Sequence, residues 1–250
     1  MKKQFIFLLM TTTFLVHNSC CAFSKNIKVR PMEQHSKSFT KSIKTDYLLY
    51  LPDTYQKSKK NWPLILFLHG AGERGDDLKK VEANGIPKLI AKDGKKFPFV
   101  IVSPQCPKNG WWDSELQIDV LNNLLDEIVS KYRIDIDKIY VTGISMGGFG
   151  TWALACEYPD RFAAIAPICG KGSPEKAGKI KNLPVWVFHG AKDNSVPIKN
   201  SEDMVNALKK IGGNVKFTIY PDAGHDSWTA AYNTPELYEW FLKHRRSNIK

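Results

Sequence analysis

Three stretches of this 250-residue chain are almost continuously apolar over the length of a β-strand: LILFLH at 64–69, FVIVS at 99–103 and VWVFH at 185–189. A strand with one face in water alternates apolar and polar residues, so unbroken apolar runs indicate strands that are buried on both faces. This burial is typical of a parallel sheet that is covered by helices on each side. The feature restricts the chain to a layered α/β architecture.

Helical patterns separate the strand-like runs along most of the chain. The patterns predict strands at Tyr47–Leu51, Leu64–His69, Phe99–Ser103, Lys138–Thr142, Ala163–Ile168, Val185–His189 and Val215–Tyr220, and an earlier one around Ile27–Arg30. They predict helices at Leu78–Ala91, Gln117–Lys131, Met146–Glu157, Ser201–Ile211 and Pro235–His244. This alternation indicates a mostly parallel central sheet flanked by helices. No Pro-, Gly- or Ser-rich linker divides the chain, which favours one core.

The first 22 residues have the three parts of a signal peptide. Lysines at positions 2 and 3 give a positive start, Phe5–Val16 is mostly apolar, and small residues lead to Ala22. The apolar part is too short for a membrane-spanning helix. We expect residues 1–22 to be a signal peptide and the protein to be secreted or periplasmic. Lipid attachment at Cys20 or Cys21, which would anchor the protein to the membrane surface, is the alternative.

The net charge and the cysteines narrow the classes of partner. The formal charge is +11, but the lysines are scattered and form no basic stripe with interleaved aromatic residues, so we expect no nucleic-acid partner. Beyond the signal region, Cys106, Cys156 and Cys169 have the spacing of neither a disulfide framework nor a metal site. We expect these cysteines to be buried and to pack as small apolar residues, with a Cys156–Cys169 disulfide as the alternative.

Polar and glycine-rich segments follow the predicted strands. They are HGAGERGDD from His69, SPQCPKNGWWDS from Ser103, TGISMGG from Thr142, HGAKDNSVP from His189 and PDAGHDSW from Pro221. The carboxyl ends of parallel strands lie at one edge of a sheet, which is where α/β proteins bind ligands. We therefore expect these segments to form the functional site.

The segment Gly143–Gly147 reads G-x-S-x-G and joins a predicted strand to a predicted helix. In this context the glycines permit a sharp turn, and the serine Oγ projects above the sheet as a nucleophile. A surface turn is the alternative. Ser145 is our candidate nucleophile, and because a serine hydroxyl reacts poorly until a base takes its proton, a histidine should lie nearby.

His225 is the candidate base because it follows the last predicted strand in a short loop. His69 and His189, which end strands before a glycine, are expected to form hydrogen bonds that shape their loops. Asp193 is the candidate acid that orients the imidazole. The order serine, aspartate, histidine is that of α/β-hydrolase triads. Asp222 and Asp226, which flank the histidine, are the alternatives.

Backbone N–H groups should stabilise the oxyanion that forms during acyl transfer. We assign them to Met146, which follows the nucleophile, and to Ala71, with Gly72 as the neighbouring alternative. Trp111, Trp112 and Trp228 are candidate walls of a substrate cleft, where indole rings stack on sugars or aromatic acyl groups; local packing is the alternative. Arg74 is expected to brace its loop through an internal ion pair, or else to meet a substrate carboxylate.

These motifs resemble the α/β-hydrolase superfamily, and in particular secreted single-domain esterases related to the catalytic domain of prolyl oligopeptidases. Feruloyl and acetylxylan esterases and polyhydroxybutyrate-depolymerase-like proteins share the outline. The matching segments are FLHGAGERGDD, SPQCP, YVTGISMGGFGTW, FAAIAPICG, WVFHGAKDNSVP and YPDAGHDSW. The resemblance implies an α/β-hydrolase fold, a catalytic domain over residues 23–250, and serine carboxylesterase activity without a metal or cofactor.

Departures from parts of this group indicate the kind of substrate. The short segment before the first core strand leads us to expect no β-propeller, and the usual place for a lid, between Ile168 and Val185, holds only 16 residues. The expected enzyme has no large lid and acts on short acyl groups or on acetyl or feruloyl esters borne by carbohydrate. A phospholipase or peptidase of the same fold, or a catalytically silent carbohydrate-binding protein, is the alternative.

Overall fold

A seven-stranded sheet organises residues 42–246, the part of the chain that the computed structural model describes. Its strands are β1 (Tyr47–Tyr50), β2 (Trp62–Leu68), β3 (Val100–Pro104), β4 (Ile134–Ile144), β5 (Ala164–Ile168), β6 (Val185–Gly190) and β7 (Val215–Tyr220). Their order is β1-β3-β2-β4-β5-β6-β7, and β1 is antiparallel to β3 while all other pairs are parallel. The predicted mostly parallel sheet is confirmed. The expected signal peptide and the strand around Ile27–Arg30 lie outside the described residues.

Helices cover both faces of the sheet. They are α1 (Gly85–Ala91), α2 (Glu115–Lys131), α3 (Met146–Glu157), α4 (Lys199–Lys210), α5 (Trp228–Tyr232) and α6 (Pro235–Lys243). Side chains of β2 alternate between the two layers: Leu64 and Leu66 pack with α2 and α3, whereas Ile65 and Phe67 pack with α1 and α6. This two-sided burial explains the unbroken apolar runs in the sequence. None of the helices in residues 42–246 is long and apolar enough to cross a membrane.

The strand order places a topological switch point between β2 and β4. From β2 the chain moves outward to β3, and from β4 it moves the opposite way to β5. The switch-point crevice, at the carboxyl ends of β2 and β4, is the usual position of an α/β site.

One predicted helix is wrong in part. Residues Leu78–Ala83 form a 3₁₀ helix, and α1 starts only at Gly85, which has a φ of +63°. A side chain at this position would overlap the ring of Phe67, so the chain needs glycine there and breaks the expected helix. The structure also contains α5, which the sequence pattern did not reveal. Residues between β5 and β6 hold only a 3₁₀ helix, Pro174–Ile180, and no large lid.

The turn from β4 into α3 approaches its neighbours backbone to backbone. A Cβ atom on Gly143 or Gly147 would overlap the carbonyl oxygen of Leu68 at the end of β2. On the other side, Gly148 and Gly170 lie so close that a Cβ on either would overlap the other's backbone. The glycines of this turn are therefore required by contact with β2 and by the loop that follows β5.

Replacing Gly147 by alanine should destabilise the protein, because the new methyl group would overlap a backbone oxygen that cannot move without displacing β2. We expect a loss of about 3 kcal/mol or more in the free energy of unfolding, measured by urea denaturation. Gly178→Ala is the matched control, since a Cβ there meets nothing within 4 Å. Equal stability of the two variants would contradict the close approach.

Candidate active site

Ser145 lies at the turn between β4 and α3 in a conformation that few residues adopt. Its φ is +53° and its ψ is −117°. The backbone N–H donates to the carbonyl of Ile168 at 3.0 Å, and its own carbonyl accepts from the N–H of Phe149 at 3.0 Å. Non-glycine residues with positive φ are strained and persist where the surrounding structure holds them. Here β5 and α3 supply that restraint, and the half-buried side chain points to His225.

The structure brings together the three predicted residues of the candidate triad. The Nε2 atom of His225 lies 2.9 Å from the Oγ of Ser145, and its Nδ1 atom lies 2.7 Å from Oδ2 of Asp193. The acceptor carboxylate places the proton on Nδ1, which leaves Nε2 free to accept from the serine hydroxyl. The three residues follow β4, β6 and β7, so parallel strands of one sheet deliver them to the same edge.

Four donors surround the Asp193 carboxylate. Oδ1 accepts from the N–H groups of Ser195 and Val196, each at 2.9 Å, while Oδ2 contacts His225 and His189. Burial alone would raise the pKa of Asp193, but the hydrogen bonds from His225 and the two backbone N–H groups outweigh it and lower the pKa. This side chain is therefore held as the anion.

Asp222 and Asp226, which flank His225 in the sequence, form hydrogen bonds with residues other than His225. Asp222 accepts from the Nζ of Lys192 at 2.7 Å, and Asp226 accepts from the N–H and hydroxyl of Thr229. Neither makes a hydrogen bond to His225 among the described residues. The geometry thus favours Asp193 over both.

The loops that carry Asp193 and His225 are bound to each other. The N–H of Ala191 donates to Tyr220 and the N–H of Lys192 donates to Ala223, both at 2.9 Å. A side chain at Gly190 would overlap the backbone of the His225 loop. The positions of Asp193 and His225 are therefore fixed relative to each other, and Gly190 at the end of β6 allows their loops to approach this closely.

His189 contacts the candidate triad from behind. Its Nε2 lies 2.8 Å from the carbonyl of Val196 and 3.2 Å from Oδ2 of Asp193, so this nitrogen carries the proton. Its Nδ1 then accepts from the hydroxyl of Ser201 at 2.7 Å. The expected loop-shaping role is confirmed, and the contact with Asp193 is one that the sequence did not reveal. Burial lowers the pKa of this imidazole below 6.5.

The two expected oxyanion donors occupy similar positions in the structure. Met146 is the first residue of α3, and Ala71 is the first residue of a 3₁₀ helix, Ala71–Glu73. A backbone N–H at the first position of a helix has no acceptor within that helix. Each group therefore needs an acceptor from outside its own helix, which is what the oxyanion assignment requires.

His69 and Gln105 hold the Ala71 loop in place. The Nδ1 of His69 donates to the carbonyl of Gly70 at 2.6 Å, and its Nε2 accepts from the N–H of Cys106 at 3.0 Å. The amide of Gln105 donates to the carbonyl of Glu73 at 2.8 Å. These contacts confirm the loop-shaping role expected for His69 and tie the loop after β2 to the loop after β3.

Arg74 braces its loop, but not through the expected ion pair. Its guanidinium donates to the carbonyls of Ala71 and Gly110 and lies over the ring of Trp111, 4.9 Å from the centroid. Glu73 is buried and accepts from Asn84 instead. Arg74 therefore joins the Ala71 loop to the loop after β3, which carries Gly110 and Trp111.

The three candidate cleft tryptophans have different environments. Trp111 is 46% exposed, whereas Trp112 is fully buried and donates its indole N–H to the carbonyl of His69 at 3.0 Å. The prediction that Trp112 forms a cleft wall is wrong, because its ring is enclosed between α3 and the Ala71 loop. Trp228 is half-buried and packs edge to face against the ring of His225, with centroids 5.3 Å apart. It supports the candidate base directly.

Cys106, Cys156 and Cys169 are free and buried, so the predicted alternative of a Cys156–Cys169 disulfide is wrong. Cys169 lies beneath the candidate triad, with its Sγ atom within 4.8 Å of ligand atoms of Asp193 and His225. Burial raises the pKa of this thiol to about 12, which disfavours the thiolate that metal binding would need. Asp193 and His225 are also engaged with each other, so these groups fit a hydrogen-bonded cluster better than a metal site.

A sheet of this order, with a strained serine at the turn after its fourth strand, defines an α/β-hydrolase. The model of the dienelactone hydrolase family matches residues 107–236, just over half of the chain. The protein therefore belongs to the dienelactone hydrolase family.

Individual relatives are similar over shorter or longer parts of the chain. A solved thermostable esterase is 35% identical, with a TM-score of 0.69, over 80% of this chain and 59% of its own. The protein of Escherichia coli K12 named "Putative carboxymethylenebutenolidase" is 33% identical over 36% of this chain and 37% of its own. The "Probable feruloyl esterase C" of Aspergillus terreus is 26% identical over 67% of this chain and 62% of its own. The chain thus spans between 37% and 62% of the length of these relatives.

The free energy of unfolding should decrease as the pH falls below about 6.5, in part because of His189. In the unfolded chain this imidazole binds a proton near pH 6.5, whereas its lowered pKa in the folded protein delays protonation. The unfolded state therefore binds more protons in this window. Replacing His189 by glutamine should make the decrease shallower by up to about 1.4 kcal/mol per pH unit, measured by urea denaturation at several pH values. Parallel curves for the two proteins would contradict this role.

Proposed function

We propose that this protein hydrolyses carboxylic esters through a Ser145–His225–Asp193 triad and a covalent acyl-enzyme. One observation carries the proposal: a strained serine lies 2.9 Å from an imidazole whose other nitrogen lies 2.7 Å from a buried carboxylate. Membership of the dienelactone hydrolase family and the 35% identity to a solved esterase support the same reaction.

In the proposed reaction the Oγ of Ser145 attacks the ester carbonyl while Nε2 of His225 takes its proton. Asp193, held as an anion, stabilises the imidazolium that forms. The imidazolium then protonates the leaving alcohol, and an acyl group stays on the serine. Water, deprotonated by the same nitrogen, attacks the acyl-enzyme and releases the acid. The serine and the imidazole regain their starting protonation states, so the cycle needs no metal or cofactor.

The N–H groups of Met146 and Ala71 are the proposed oxyanion donors. They come from opposite sides of the switch-point crevice, one after β4 and one after β2. Loss of a single oxyanion donor typically costs about 10²–10³ in rate. The network of His69, Gln105 and Arg74 would matter here, because it holds the Ala71 peptide against the site.

The proposed substrates carry short acyl groups, or acetyl or feruloyl groups on carbohydrate. The short segment between β5 and β6, which holds no large lid, favours them, since a bulky alcohol can approach an open site. The relative named as a feruloyl esterase supports an ester of this kind. A phospholipase, a peptidase or a silent carbohydrate-binding protein is the alternative function.

Replacing Ser145 by alanine should lower kcat for p-nitrophenyl acetate by at least about 1000-fold, because the nucleophile that forms the acyl-enzyme is lost. The same change should abolish covalent labelling by a fluorophosphonate. Ser130→Ala, an exposed serine on α2, is the matched control and should retain both activities.

Two results would contradict the proposal. Unchanged turnover by the Ser145 variant would exclude this nucleophile, and failure of the folded wild-type protein to react with fluorophosphonate would favour a silent binding protein. A parallel assay with phospholipid and a proline-containing peptide tests for a phospholipase and for a peptidase. Hydrolysis of either substrate, without hydrolysis of short esters, would replace the esterase assignment.

We also propose that the protein is exported, on the pattern of residues 1–22. Mass spectrometry of the protein recovered from a secreting bacterial host should find an N-terminus at Phe23 if a signal peptidase cleaves after Ala22. A lipid-modified cysteine at position 20 or 21 in the membrane fraction would instead support the anchored form. Retention of Met1 in a soluble intracellular protein would contradict export.

A further inference from the structure

A long groove runs beside the candidate active site along helix α3. It consists of two adjoining cavities of about 430 Å³ and about 320 Å³, which share Asp113, Ala153 and Lys176 in their linings. Phe149 and Ala153 lie one turn apart on the same face of α3. We call the groove formed along this face the α3 trough. From Phe149 to Glu157 it follows the helix for about 12 Å, which is longer than a short acyl group needs.

The end of the α3 trough that Phe149 lines is the end nearer to Ser145. Phe149 follows Ser145 by one helical turn, and its N–H donates to the Ser145 carbonyl at 3.0 Å. Trp111, which lines the same cavity, is joined through Arg74 to the proposed oxyanion loop. The guanidinium lies over the indole, and its Nε donates to the Ala71 carbonyl at 3.0 Å. A ligand that fills the trough from this end therefore starts about one helical turn from the proposed nucleophile.

Trp111 is held as an exposed aromatic surface. Its neighbour Trp112 is fixed inside the protein by the hydrogen bond to His69, and Arg74 restrains the Trp111 ring from outside the core. The ring is 46% exposed and lines the larger of the two cavities, so a ligand in the trough can reach it. Because the ring is already restrained, a ligand that stacks on it would lose little side-chain entropy.

The remaining lining decides which ligand chemistry fits. The acidic residues of the lining are Asp113, Glu115, Asp119 and Glu157, and its basic residues are Lys171 and Lys176. A fatty chain would remove these charges from water without replacing their hydrogen bonds. A polyanion would meet the carboxylates, and a polycation would meet the lysines. A neutral chain rich in hydroxyl groups, with apolar faces for the aromatic rings, satisfies both parts of the lining.

We infer that the α3 trough binds the saccharide chain that bears the ester, with Trp111 as the stacking surface nearest the reaction centre. The inference rests on the proposed ester hydrolysis and specifies its alcohol: a neutral carbohydrate of several sugar units. Catalytic efficiency should then depend on the length of the saccharide, because sugars beyond the ester-bearing one contribute binding along α3.

The first test compares kcat/KM for acetylated xylo-oligosaccharides and cello-oligosaccharides of two to six units. We expect kcat/KM to increase by about 10-fold or more with length in at least one series. This is the size of effect that one aromatic anchor residue typically has on binding. Trp111→Ala should remove this increase. Ala153→Gln, which places a longer side chain in the floor shared by both cavities, should remove it without altering the tryptophan. The readout is the ratio between long and short substrates within each variant, so changes in basal turnover cancel.

Ile136→Ala is the matched control. Ile136 is 49% exposed, similar to Trp111, but it lies near the start of β4, away from the carboxyl ends of the strands. This variant should keep the full dependence on length. If neither series depends on length in the wild type, or if Trp111→Ala and Ala153→Gln both keep the dependence, the inference is overturned.

A second measurement separates this inference from the proposed catalysis. Calorimetric titration of the Ser145→Ala protein with unesterified xylohexaose and cellohexaose reports saccharide binding without turnover. If the Ser145→Ala protein binds a saccharide and the added change Trp111→Ala abolishes that binding, the trough is supported as a saccharide site. This result holds even if the wild type does not hydrolyse esters. Hydrolysis of p-nitrophenyl acetate without binding of either saccharide overturns the trough and leaves the ester hydrolase intact.

Discussion

The close backbone approach between the β4–α3 turn and the ends of β2 and β5 is the constraint on which the rest of the site depends. Glycines at 143 and 147 allow the turn to touch the Leu68 carbonyl, and the Ile168 carbonyl accepts the N–H of Ser145. These contacts hold the serine at a φ of +53°, a conformation that costs roughly 1–3 kcal/mol for a residue with a side chain. The same approach brings the loop after β2, with Ala71, beside the serine.

The groups opposite the serine form a second rigid unit. The loops after β6 and β7 are joined by backbone hydrogen bonds, and Asp193 receives donors from its own loop, from His225 and from His189. A carboxylate with four donors cannot rotate freely, so the imidazole that it orients is also restrained. Positioning therefore comes mainly from the backbone of the sheet and its loops, and less from the identities of the three side chains.

Much of this arrangement could be predicted from the sequence because it depends on local patterns. Unbroken apolar runs predicted the sheet. The G-x-S-x-G motif and the polar segments that follow the strands made Ser145, Asp193 and His225 the candidates, although Asp222 and Asp226 stayed open as alternatives to Asp193. The misses depend on contacts between distant residues. Nothing near Gly85 in the sequence reveals that the Phe67 ring lies against it, and adjacent tryptophans give no sign that only Trp112 reaches the His69 carbonyl. The contact between His189 and Asp193 likewise exists only after β6 and its loop have folded.

The α3 trough has walls that are separate from the candidate triad. Trp111 and Asp113 come from the loop after β3, and Lys171 and Lys176 come from the segment after β5, whereas Ser145, Asp193 and His225 follow β4, β6 and β7. Insertions or substitutions in the two wall loops can thus diversify the ligand without disturbing the strained turn. In a gene duplicate, such loops could acquire a preference for a different ligand while the reactive residues stay in place. Ligand recognition and ester chemistry can therefore evolve separately in this fold.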